Sequence, residues 1–188
     1  MAYNLSKMAA LDLYLSSLSE KEYDKIKHQL NTPEASTMPL MSWDLFSENH
    51  FKTLKKLKMN TDINTVKAFA EKAKWKNELD SIFKNQNFEA LIITDSEQKI
   101  QWVNDGFTEM TGYSKKHALN KTPRFLQGPS TSQKTKTKIR TQLTDLKPFK
   151  GIITNYRKDN SLYKCEVKII PMYSQEVTHF LAIEKLVV

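Results

Sequence analysis

Two short stretches constrain this chain more than any other. They are Gly106-Phe107-Thr108-Glu109-Met110-Thr111-Gly112-Tyr113 and Asn120-Lys121-Thr122-Pro123-Arg124-Phe125-Leu126-Gln127-Gly128-Pro129. Glycine and proline are the strongest local punctuators of backbone structure. This part of the chain must therefore be built from short helices and turns. The segments on either side are periodic and of different kinds: helical spacing dominates before it, and strand-like runs close the chain.

In the helical half, Met8, Leu11, Leu15 and Leu18 recur every three or four residues, as on an amphipathic helix. Ser19 and Glu22 form a capping box, so a second helix is expected to run to about Leu30. Asn31-Thr32-Pro33 ends it, and residues 31–42, with Pro33 and Pro39, read as a loop. Trp43, Phe46, His50, Leu54 and Leu57 fall on one face of a third helix, where His50 is expected as a core histidine.

A fourth helix is expected over 62–84. Val66, Phe69, Ala70 and Ala73 share one of its faces, while Trp75, Leu79 and Ile82 lie nearly opposite. Either one continuous helix packs on two different things, or the helix breaks near Lys74–Lys76. The first alternative makes Trp75, Leu79 and Ile82 an interaction surface.

In the second half, Ala90 to Thr94 is an apolar run ending in a turn at Asp95-Ser96, and Ile100, Trp102 and Asn104 continue a second strand. Gly106 to Gly112 is expected as a short helix and Thr131 to Leu146 as a longer one. Three strands close the chain: Phe149 to Tyr156, Leu162 to Pro171 and Thr178 to Val187. Any output would then pass through the N-terminal helices or the sheet surface.

This order, together with Ile-Ile-Thr-Asp, Ile-Gln-Trp-Val-Asn and the two stretches above, resembles a PAS domain. More narrowly, Thr122-Pro123-Arg124-Phe125-Leu126-Gln127 resembles the light-oxygen-voltage branch, which carries Gly-x-Asn-Cys-Arg-Phe-Leu-Gln. The resemblance implies an α+β fold, a five-stranded antiparallel sheet with short helices over residues 88–188, preceded by an all-helical segment over 1–87. It also implies a small-molecule pocket between sheet and helices. In that branch the pocket holds flavin mononucleotide (FMN), and the cysteine forms an adduct with it under light.

Carried over by position, the resemblance gives Arg124 and Arg140 to the flavin phosphate, Gln127 to the ribityl chain and Asn155 to the pyrimidine edge. Other positions depart from the pattern. The asparagine before the cysteine is Thr122, and the cysteine itself is Pro123. A second ring-binding asparagine is Cys165, and the glutamine facing flavin N5 aligns with Glu184. Pro123 has no thiol, so no cysteinyl adduct can form there. A missing amide at Cys165 would leave ring polar atoms unpaired, at roughly 1–3 kcal/mol each. Burying a carboxylate at Glu184 is costly. No cofactor is expected, with FMN as the alternative.

Composition excludes several other classes. One cysteine rules out a disulfide framework and a CxxC zinc site, and suits a reducing, cytoplasmic setting. No run approaches the roughly 20 apolar residues needed to span a bilayer. With four glycines, at 106, 112, 128 and 151, there is no phosphate-binding glycine loop. The four histidines are dispersed, so neither catalysis nor a metal site is expected.

The net charge of +8 is concentrated late in the chain, where Lys134, Lys136, Lys138, Arg140, Lys147 and Lys150 face only Asp145. Such a cluster could meet a phosphate backbone, but aromatic interleaving is absent and a solvated face is the expectation. The sequence is thus read as a sensory PAS module that signals by protein–protein interaction, as a homodimer and without enzymatic activity. A filled-pocket sensor of a small molecule or flavin is the alternative, and a nucleic-acid binder the third reading.

Overall fold

The computed structural model describes residues 18–27, 43–84 and 86–187. The helix expected over Met8, Leu11 and Leu15, and the loop over 31–42, lie outside them. Helix α1 spans Glu20–Lys27. Ahead of it, the Ser19 N–H donates to the Glu22 carboxylate at 3.1 Å and the Ser19 hydroxyl at 2.6 Å. These hydrogen bonds hold the Glu22 carboxyl below its usual pKa.

Helix α2 is one element of 31 residues, Trp43–Ala73, where two separate helices were expected. No glycine or proline interrupts it. The polar residues at the expected join are absorbed, because the Thr61 and Thr65 hydroxyls donate back to the carbonyls of Leu57 and Thr61. The helix then breaks, as the second alternative for the fourth helix required. Lys74 takes a left-handed φ of 55°, and the Trp75 N–H closes the end on the Ala70 carbonyl at 2.9 Å. A short helix α3, Leu79–Phe83, follows.

The sheet has five antiparallel strands in the order β2-β1-β5-β4-β3. They are β1 Ala90–Asp95, β2 Ile100–Val103, β3 Phe149–Tyr156, β4 Leu162–Tyr173 and β5 Val177–Leu186. Between β2 and β3 lie α4 Asp105–Thr111, α5 Lys115–Ala118, a 3₁₀ turn Pro123–Leu126 and α6 Gln133–Thr144. This is the α+β architecture that the sequence implied.

Alternation along the strands divides the core in two. Ala90 and Ile92 of β1, Phe149 and Ile153 of β3, and Cys165 and Val167 of β4 face the inner layer formed by α4 to α6. Leu91 and Ile93 of β1, Ile170 and Met172 of β4, and Leu181 and Ile183 of β5 form the outer cluster with Val66, Ala70, Leu79, Phe83 and Phe88. Met59, Ile63 and Phe69 complete the packing stripe on α2.

The stripe does not take in residues 50–57. His50 is exposed rather than buried, and Leu54 and Leu57 are 47% and 57% exposed. By its contacts the chain divides into two compact units, Met1–His50 and Phe51–Val188. Within the second unit, the later part of α2 packs on the sheet.

Asn104 ties the inner layer to the sheet. Its Oδ1 accepts from the Leu91 N–H at 3.0 Å and caps α4 through the Phe107 N–H at 3.1 Å. Its Nδ2 donates to Asp62 Oδ2 at 2.7 Å and to the Glu89 carbonyl at 3.1 Å. Gly106 is required beside it, since a Cβ there would lie 1.7 Å from the Glu89 oxygen.

Candidate functional site

Pro123 opens the 3₁₀ turn at its first positions, where its fixed φ suits the turn and its missing N–H costs nothing. Thr122 ahead of it is extended, as a residue before proline must be. The turn buries Leu126 and leaves Arg124 and Gln127 to either side of it.

The chain then runs close against β3. A Cβ at Gly128 would lie 2.4 Å from the Tyr156 ring. The Tyr156 hydroxyl donates to Ser130 Oγ at 2.8 Å and accepts from the Ser130 N–H at 2.9 Å. Buried Thr131 donates to the Thr154 carbonyl at 2.6 Å. Ser132 caps α6 on the Thr135 N–H. Along α6, Leu143 is buried and Ile139 half-buried, while Arg140 is exposed.

These elements enclose a cavity of about 180 Å³ against the inner face of the sheet. The four residues carried over by resemblance, Arg124, Gln127, Arg140 and Asn155, all line it, although they come from three different elements and a loop. Lys136 lines it as well. Neither arginine makes an ion pair among the described residues. The basic cluster therefore does not act as one face. Lys136 and Arg140 belong to the cavity, and Lys147 and Lys150 pair with Asp145 and Glu166 at 3.4 and 2.8 Å.

Polar residues of the turn and α6, Arg124, Gln127, Lys136 and Arg140, line one side of the cavity, and the sheet adds an apolar wall with a small polar set. Asn155 and Glu184 line it at only 4% and 5% exposure. Asn155 Nδ2 rests on Cys165 Sγ at 3.9 Å, a weak contact. Its Oδ1 has no hydrogen-bond partner, and neither does Glu184 Oε2 nor the Tyr163 hydroxyl. Burial, with no compensating cation, pushes the Glu184 carboxyl up to about 7. Burial and then the Glu184 charge push up both the Tyr163 hydroxyl and the Cys165 thiol. Cys165 therefore stays a neutral thiol, a poor nucleophile.

The expected interaction surface lies elsewhere and faces inward. Leu79 is buried in the outer cluster, with half-buried Trp75 and Ile82 packed against it. Trp75 Nε1 donates to His179 Nδ1 of β5 at 3.2 Å. Phe69, Trp75 and His179 form a ring cluster with centroids 5.2–5.4 Å apart. Asn77 donates to the Pro171 carbonyl and accepts from the Tyr173 N–H. The reason is physical: the outer face of the sheet is apolar and must be covered, and these residues cover it.

Sequence reasoning missed Asn104 as a structural hub and Lys136 as a cavity residue. An asparagine at the N-cap position of a glycine-containing helix was the available signal for the first. Helical spacing of Lys136 and Arg140, four residues apart and so on one face, was available for the second.

A five-stranded antiparallel sheet in the order β2-β1-β5-β4-β3, with a helical layer enclosing a small cavity, defines the class of this fold. The profile of the PAS domain family matches residues 89–185, and the chain belongs to that family. A blue-light photoreceptor of Listeria monocytogenes is 38% identical over 114 residues, which are 57% of this chain and 45% of that protein. The chain thus spans less than half the length of this curated relative. The LOV domain of a blue-light activated histidine kinase from Erythrobacter litoralis superposes with a TM-score of 0.50 at 26% identity, covering 54% of this chain and 97% of that one. The LOV domain of the blue-light photoreceptor Aureochrome1 gives 0.52 at 26%, covering 53% and 76%.

The cavity can be tested against FMN on its own geometry. The mouth suits a phosphate, with Arg124, Lys136 and Arg140 there and neither arginine ion-paired. At the deep end the unpartnered atoms on cavity-lining residues are the Asn155 amide oxygen and a Glu184 carboxyl oxygen, a set short of N–H donors for a ring edge that carries acceptors. The volume of 180 Å³ also falls below the roughly 300–1,000 Å³ of sites for drug-sized ligands.

Proposed function

We propose that this chain is a sensory PAS module that binds a small molecule in its inner cavity and transmits the event by protein–protein contact, as a homodimer. The observation that carries this reading is the convergence of Arg124, Gln127, Arg140 and Asn155 on one cavity. Two further buried polar atoms there, Asn155 Oδ1 and Glu184 Oε2, lack partners, and unpaired buried polar groups are a cost that a ligand can relieve. Membership of the PAS family and likeness to blue-light photoreceptors support a sensory role. Binding rather than catalysis is the chemistry these side chains offer.

Cysteinyl-flavin photochemistry is not part of the proposal. Position 123 carries no thiol, and the chain's one cysteine, Cys165, is held against Asn155 on the sheet. The test is absorption spectroscopy and native mass spectrometry of the purified protein. The expected result is a colourless protein without stoichiometric flavin, and Pro123→Cys with added FMN shows no light-driven bleaching. Reversible bleaching in that variant would establish a flavin site instead. A retained small molecule that is lost on Ala182→Phe, which fills the cavity, supports the ligand-binding reading. Sedimentation velocity checks the dimer.

A further inference from the structure

We propose that the cavity selects a ligand with an N–H donor head group, of amidinium or amine type, seated against Glu184 and Asn155, with an anionic end at the Arg124–Arg140 mouth. This rests on the reading of the cavity as a ligand site and names the class of molecule it takes.

The argument follows from what each end of the cavity lacks. At the sheet, both unpartnered atoms on the cavity-lining residues are acceptors, the amide oxygen of Asn155 and a carboxyl oxygen of Glu184. Asn155 presents its amide oxygen to the cavity, with Nδ2 turned to Cys165 Sγ at 3.9 Å. A ligand that brings only acceptors, such as a ketone, leaves Asn155 Oδ1 unpaired. It is received solely by a Glu184 that is protonated. A forked cationic donor brings an N–H for each of the two residues, and charge-assisted hydrogen bonds are the strong ones. It also supplies the counter-charge that buried Glu184 does not have, relieving the cost of burying a carboxylate.

At the other end, Arg124, Lys136 and Arg140 present three cationic groups to the cavity. A head-group cation alone would meet that charge on entry, so the ligand must be anionic at its trailing end. Between them the wall is aliphatic and aromatic, from residues such as Ile153 and Phe180. A volume of 180 Å³ suits a body of one or two rings.

Isothermal titration calorimetry on the full chain tests this with 4-amidinobenzoate, its isostere 4-acetylbenzoate, and FMN. The expected result is that 4-amidinobenzoate binds at least about tenfold more tightly than 4-acetylbenzoate, the difference that one charged hydrogen bond supplies. Glu184→Gln, checked for folding by circular dichroism, is expected to abolish most of that preference. Equal binding of the two benzoates, or binding of FMN alone, overturns the donor-head proposal while leaving the cavity a ligand site. Binding of none of the three overturns both. The comparison of the two benzoates on the unmodified protein stands even if the variant does not fold.

Discussion

On the outer face of the sheet, Leu91, Ile93, Met172 and Leu181 are sealed under Val66, Ala70 and Phe83, and the polar atoms at the margin have partners: Trp75 with His179, and Asn77 with Pro171 and Tyr173. On the inner face, Ile92, Ile153 and Val167 meet a helical layer that stops short of closure. It leaves 180 Å³ of space and two cavity-lining residues whose polar atoms have no partner. The same strands make both faces, so the difference is not one of sheet quality. One face is packed as a core, and the other encloses a cavity. Native packing density leaves few voids larger than a water molecule, so a cavity of this size sets the inner face apart.

The largest effects should come from opening the sealed face. Phe83→Ala is expected to cost roughly 3–5 kcal/mol. Leu79→Glu, which buries a charge, should unfold the sheet-bearing unit rather than change its assembly. Thermal melts with sedimentation velocity check both. A folded Leu79→Glu protein with a changed oligomeric state would move this residue to a partner surface.

Acid should act in opposite directions on the two faces. Glu184 on the inner side has its pKa raised by burial from 4.5 to about 7. The folded state therefore binds the extra proton between those values. Its stability contribution is full below about 4.5 and is lost as pH rises through about 7, a change of roughly 3 kcal/mol. Glu184→Gln should remove that slope from denaturant-derived stability measured across this range.

On the outer side, burial lowers the His179 pKa below 6.5. Its contribution is full above 6.5 and is lost as pH falls through the lowered value. Trp75→Phe, which deletes the donor to His179 Nδ1, should cost about 1 kcal/mol at neutral pH. The same substitution should cost less in acid, where a protonated ring no longer accepts.

The smallest effect belongs to the exposed lysines of α6. Changing Lys134 and Lys138 to glutamine should shift stability by no more than about 0.5 kcal/mol. Binding to duplex DNA should stay weak at physiological salt. A submicromolar affinity with a steep salt slope, measured by fluorescence anisotropy, would restore the nucleic-acid reading.

The strands were legible because alternation and turn residues write them directly. The runs starting at Ala90, Ile100, Phe149 and Leu162 begin where the structure begins them. The cavity residues were legible only through resemblance, since nothing in local periodicity brings Arg124, Arg140 and Asn155 together. What stayed hidden was tertiary. Whether the helix would break at Lys74 could not be decided, because a left-handed lysine carries no local mark. The inward turn of Trp75 and Leu79 depends on a sheet face that forms only once distant strands assemble. The two expected helices fuse into Trp43–Ala73 because no glycine or proline stops the run, and the threonines at the join satisfy their hydroxyls within the helix.

One strand belongs to both faces at once. In β5, Phe180, Ala182 and Glu184 line the cavity, while His179, Leu181 and Ile183 alternate with them on the side that the helices cover. Its neighbours β1 and β4 hold it along both edges, from His179 to Glu184. Sliding is closed to it, because a slip of one residue would exchange the two sets of side chains. The two faces therefore share one backbone: any change that shifts β5 beneath Glu184 must be met at the same rungs by Leu181 and Ile183 on the covered side.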